Sequence, residues 1–200
     1  MKTQISLATR SKTAIAARRR LAPDNLHSGI ARRLWTSLAA GAIVIAINSF
    51  ILFAADWIPL VTAHGGLLKL IKPFVAGPLQ TSSVASVWRM LDLPAPQTMV
   101  FKIGFHVAVG LAMAVAYAFV FEPVLRGPAW LKGLLYAVFA WIMNAFIVLP
   151  WIGEGIAGSR NLSLAGIEYF AFAHTVFFVL LAILYRQFMK RRAPNTGVVS

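Results

Sequence analysis

LWTSLAAGAIVIAINSFILFAADW, residues 34–57, contains one charged side chain, Asp56, and one amide, Asn48. A hydrocarbon layer about 30 Å thick takes roughly 20 apolar residues at a helical rise of 1.5 Å. Lipid offers no hydrogen bonds to a strand's backbone, so a stretch of this kind crosses as a helix. Val100–Phe121, Trp130–Trp151 and Ser163–Arg186 meet the same requirement. The composition agrees: 59% hydrophobic and 12% charged, with a mean hydropathy of +0.74, where soluble domains carry about 25% charge. The expected fold is all-α, a polytopic four-helix membrane bundle forming one domain over residues 34–187.

The first span also announces a repeat. Asn48-Ser49-Phe50-Ile51-Leu52 is followed by His106 and, eleven residues later, Tyr117. Asn144-Ala145-Phe146-Ile147-Val148 is followed by His174 and, again eleven later, Tyr185. The spans therefore read as two hairpins in parallel repeat, related by a pseudo-twofold axis along the membrane normal. Asn and His are 58 residues apart in the first copy and 30 in the second, so the first outer loop, 58–99, is the longer. Its segments 67–72 and 82–91, broken by Pro73, Gly77 and Pro78, are too short to cross and are expected as interfacial helices.

Net charge is +13. Lys2, Arg10, Lys12, Arg18, Arg19, Arg20, Arg32 and Arg33 precede the first span, Arg186, Lys190, Arg191 and Arg192 follow the last, and Arg126 and Lys132 flank the middle turn. Placed there, the charge follows the positive-inside rule with both termini cytoplasmic, and nucleic acid is not an expected partner. Residues 1–33 and 188–200 read as basic cytoplasmic tails, the first disordered. Arg-rich and poor in acids, the first 23 residues also have the composition of a mitochondrial transit peptide, whereas no apolar segment of a cleaved secretory signal precedes residue 34. The absence of cysteine excludes disulfides and thiol chemistry.

Counted from the span ends, Asn48, His106, Asn144 and His174 all fall in the outer half. His106, Gly110, Met113 and Tyr117 share one helical stripe, as do His174, Phe178, Leu181 and Tyr185. Gly110 and Ala114, like Ala42 and Ala46, have the spacing that lets helices approach closely. Three readings follow. In the first, Asn48 and Asn144 hydrogen-bond across to His106 and His174 and fix the bundle, with no cofactor. In the second, His106 and His174 ligate a haem b, or contact quinone, in an electron-transfer subunit, with Gly110 leaving room for a flat ring. In the third, the two histidines and Glu168 form a proton or small-solute pathway, Glu168 being the entry. Glu154 and Arg160 are expected to pair in the short outer loop. No catalytic or metal-binding motif is present, so an enzyme is not expected.

The pattern His106-Val-Ala-Val-Gly110 through Tyr117, echoed from His174 to Tyr185, resembles the small four-helix bacterial inner-membrane proteins of the YagU-like kind, over residues 34–187. The resemblance implies a bacterial inner membrane and no established activity. The expected function is thus that of a non-enzymatic integral membrane protein whose Asn/His layer holds the bundle, with the bilayer, a second copy or another membrane protein as partner.

Overall fold

The computed structural model describes residues 23–58 and 98–191, with positions 68, 86, 90 and 91 between them. The interfacial segments expected in the first loop, apart from those isolated positions, and residues 1–22 and 192–200 lie outside the described residues. Four long helices are present among the described residues: α1 (Pro23–Trp57), α2 (Met99–Ala116, continuing to Val124), α3 (Ala129–Met143, continuing to Trp151) and α4 (Leu164–Arg191). Each is long and apolar enough to cross a membrane.

Two boundaries differ from expectation. Helix α1 begins at Pro23, so residues 23–33, expected as disordered tail, are helical. Proline suits a first helical turn because its φ is already fixed and the N–H it lacks would have no partner there. Helix α4 runs on to Arg191, and Lys190 and Arg191 in its last turn lie where cations favour the carbonyl end of a helix. At the other starts, the Thr98 hydroxyl accepts the Phe101 N–H at 3.2 Å, and the Ser163 hydroxyl accepts the Gly166 N–H at 3.1 Å. Both are side-chain caps on amides that the helix itself leaves unpaired.

Helices α2 and α3 each widen before they end. Residues Tyr117–Phe121 and Asn144–Val148 form π-helical turns, in which the Glu122 N–H reaches the Tyr117 carbonyl and the Leu149 N–H reaches the Asn144 carbonyl. Pro123 and Pro150 each stand six residues after the start of their π turn. A helical proline has no N–H and its ring pushes away the carbonyl four residues back, and one extra residue in the turn relieves that clash. Pro150 therefore reshapes the last two turns of α3 rather than merely ending it.

Helix α4 packs against both α1 and α3, and α1 also packs against α2. Helix α3 meets the α2 segment chiefly at its π turn. Small residues set the close approaches. A Cβ on Gly133 would lie 2.6 Å from the Phe178 carbonyl oxygen, and one on Gly41 would lie 2.7 Å from Ala114 Cβ. Gly110 receives the side chain of Ile45. Ala42 and Ala46, expected at a close contact, are exposed, because at 100° per residue Gly41 and Ile45 take the inward face and their neighbours turn away.

Candidate functional site

The end of the bundle where Leu125–Pro128 joins α2 to α3 is the turn end, and the opposite end is the loop end. Helix contacts fix the levels. Gly41 against Ala114 and Ile45 against Gly110 set α1 and α2 antiparallel with Asn48 opposite the His106 turn. The Tyr169 hydroxyl donates to the Ile51 carbonyl, which places Asn48 opposite the turn of α4 that leads to His174. The His106 and His174 imidazoles lie close enough for their charges to interact. A polar layer thus lies between two contacts, Ile45 on Gly110 below and Tyr169 on Ile51 above, roughly 9 Å apart along α1.

The layer is not bonded as expected. Asn48 Oδ1 is buried with no hydrogen-bond partner among the described residues. His174 Nδ1 is 2.9 Å from the Phe170 carbonyl one turn back on its own helix, and that carbonyl, an acceptor only, accepts the Nδ1–H, which in the neutral imidazole leaves Nε2 as an acceptor. The Phe170 ring covers one side of the imidazole, with centroids 4.2 Å apart. Asn144 is half-buried in the α3 π turn and bonds neither imidazole. Gly133 faces Phe178 and Val179, so the α3–α4 register carries Asn144 roughly 10 Å beyond His174 toward the loop end. That register is why the expected Asn144–His174 pair does not form.

The haem reading depends on room beside Gly110. The room that Gly110 was expected to leave is filled by Ile45, whose Cγ1 lies 2.9 Å from where a Cβ of residue 110 would stand. Glu168 is exposed near the start of α4, with no bond to the layer. In the short outer loop, Glu154 accepts the Asn161 side-chain amide at 2.7 Å, and its carbonyl accepts the Arg160 N–H at 3.0 Å.

A second cluster, at the turn end, was not anticipated. The Tyr117 hydroxyl donates to Glu122 Oε2 at 2.8 Å. Lys132 Nζ lies 3.0 Å from Glu122 Oε1 and also donates to the Glu122 carbonyl at 3.0 Å. In an α-helix, residues five apart diverge by about 140°, and the π turn brings Tyr117 and Glu122 together. Above them Phe121 stacks on Tyr136 with centroids 3.8 Å apart, Tyr136 lies 4.2 Å from Phe178, and the Tyr136 hydroxyl donates to the Met113 carbonyl at 3.2 Å. The signal in the sequence was Glu122-Pro123 directly behind the second span, which a 3.6-residue period does not register.

Compared with known proteins, the chain matches no family model, no curated sequence and no solved structure.

Proposed function

We propose that this chain is a non-enzymatic integral protein of a bacterial inner membrane, with both termini cytoplasmic, that binds a proton or a small hydrogen-bonding solute in the Asn48–His106–His174 layer. The turn end is then cytoplasmic and the layer lies in the outer half, with Glu168 near its mouth. The observation that carries the reading is the buried Asn48 carbonyl oxygen, which has no partner at the level where the two imidazoles approach. A buried polar atom left unsatisfied costs about 1–3 kcal/mol, and a ligand or water that donates to it recovers that cost. A binding layer open to one side fits better than a continuous pathway, because the packed rings of Phe121, Tyr136 and Phe178 lie between it and the turn end. The electron-transfer alternative is the weaker reading, because Ile45 side-chain atoms occupy the Gly110 notch.

The duplicated-hairpin origin belongs to the same proposal. A twofold relation brings equivalent residues face to face near its axis. Tyr117 and Tyr185 are in edge-to-face contact and the histidines eleven residues before them approach each other, which supports a twofold relation between α2 and α4, whereas the different Asn–His registers of the two hairpins do not. The resemblance of residues 34–187 to the YagU-like proteins adds no residue to this reading. Partners are lipid and, by the same proposal, a second copy or another membrane protein.

The experiment is nitrogen NMR of the full-length, histidine-labelled protein in bilayers. As the pH is lowered from about 8 to about 5, the range in which imidazoles exchange protons, the signals of His106 and His174 should move together. Asn48→Leu should disturb both signals and Asn144→Leu neither. Two imidazoles that stay unchanged over that range, and that Asn48→Leu leaves unmoved, would overturn the reading.

A further inference from the structure

We infer that Arg32 and Arg33 of α1 and Arg186 of α4, together with the Tyr185 hydroxyl, form a phosphate-binding corner at the turn end of the α1–α4 seam. The ligand is a phosphate ester, supplied by an anionic lipid headgroup or by a free phosphate. This inference is independent of the outer polar layer.

Insertion requires cations beyond a span but does not dictate the helix face they occupy. Here the face is set by packing. Arg32 and Arg33 each precede by one turn a fully buried residue of α1, Thr36 and Ser37. Arg186 follows by one turn the fully buried Ala182 of α4. All three arginines therefore continue the inward faces of two packed helices past the end of the apolar seam, and all three are exposed there. Arg32 and Arg33 lie within electrostatic reach of the Tyr185 hydroxyl on the opposite helix, and Arg186 within reach of Tyr117.

One described anion, Glu122, lies within electrostatic reach of the Tyr185 hydroxyl, as Arg32 and Arg33 do. That carboxylate is engaged by Tyr117 and Lys132. None of the three arginines takes part in a described ion pair. Tyr185 is 2% exposed, and its hydroxyl bonds no described residue, which leaves a held O–H donor within reach of Arg32 and Arg33, one residue before Arg186 on α4. Guanidinium forks pair with phosphate oxygens two at a time, and a phenol adds one further donor. In a bilayer the end of an apolar seam is also the level of the headgroup phosphates.

The test uses full-length protein in bilayer discs of mixed phosphatidylglycerol and phosphatidylcholine, released for native mass spectrometry. The wild type should retain phosphatidylglycerol preferentially. Arg33→Gln with Arg186→Gln should lower that preference about ten-fold or more, because two of the three guanidinium forks that hold one phosphate are lost. Arg126→Gln with Arg191→Gln removes the same charge elsewhere at this end and should change it by less than about two-fold. Calorimetry with glycerol phosphate in neutral detergent identifies the source. Saturable heat that the Arg33/Arg186 pair abolishes assigns a soluble phosphate; no heat, with the lipid preference intact, assigns the headgroup. Equal losses in the two double variants would overturn the site, as would a wild type that prefers neither ligand. Should the double variant misfold by circular dichroism, Tyr185→Phe decides: a preference about two-fold or more below wild type supports the corner, and an unchanged one overturns it.

Discussion

Tyr117 and Tyr185 meet edge to face, with ring centroids 5.6 Å apart and planes 83° apart, yet only Tyr117 has a hydrogen-bond partner among the described residues. Its hydroxyl holds Glu122 at 2.8 Å, while both rings are buried. Removing each hydroxyl separates the contribution of the ring from that of the bond. Tyr117→Phe should destabilise the protein by about 1–2 kcal/mol, at the lower end of a hydrogen bond to a charged group because Glu122 is half-exposed. Tyr185→Phe should change stability by less than about 0.5 kcal/mol. Reversible unfolding in mixed micelles measures both, and equal losses would count against the Tyr117–Glu122 bond.

The π turn before Pro123 makes that bond possible, so the two should be coupled. Pro123→Ala restores an N–H and removes the ring, which lets the segment return to α-helical pairing and rotates Tyr117 away from Glu122. In that background Tyr117→Phe should cost close to nothing. A double-mutant cycle should therefore give a coupling energy of about 1 kcal/mol. Additive losses would mean that the bond survives without the π turn.

Close approach at glycines gives a graded series. A methyl group on Gly133 would meet backbone of α4, Phe178 O at 2.6 Å and Val179 Cα at 2.7 Å, and neither can yield without separating the helices. Gly133→Ala should cost about 2–3 kcal/mol, the upper range for overpacking. At Gly110 the obstacle is the flexible side chain of Ile45, and Gly110→Ala should cost about 1 kcal/mol. Gly104 faces open space, so Gly104→Ala should stay within about 0.5 kcal/mol. Unfolding midpoints of the three variants would test the order.

Span number and approximate boundaries were legible because apolar length alone decides them, as in residues 34–57. The inward stripe of α4, with Phe178, Leu181 and Tyr185 all buried, followed from helical spacing. What was lost depended on register between helices. Ala42 and Gly41 differ by one position in sequence but by 100° in direction, and only packing tells which faces a neighbour. Asn144 and His174 both count into the outer half from their span ends, yet the Gly133 contact sets them roughly 10 Å apart in level. The Glu122 cluster escaped for a further reason: it exists only where the helix leaves its regular period.

Asn48 offers a test in which stability and binding are expected to move in opposite directions. Its carbonyl oxygen is buried with no partner among the described residues, and the side chain lies on a helix face packed by Val44 and Ile45 one turn away. Asn48→Leu replaces an unsatisfied amide by an apolar group of similar volume, and such exchanges are close to neutral or stabilising. If the amide holds only the bundle, as a bond to His106 would require, the variant should lose about 1–2 kcal/mol, the upper range for an interhelical polar contact. The geometry predicts instead a stability equal to or above that of the wild type, by up to about 1 kcal/mol, together with a changed pH response of the His106 and His174 signals. Unfolding and histidine NMR on the same preparation decide the matter. A less stable variant with unaltered imidazole signals would assign Asn48 a purely structural bond.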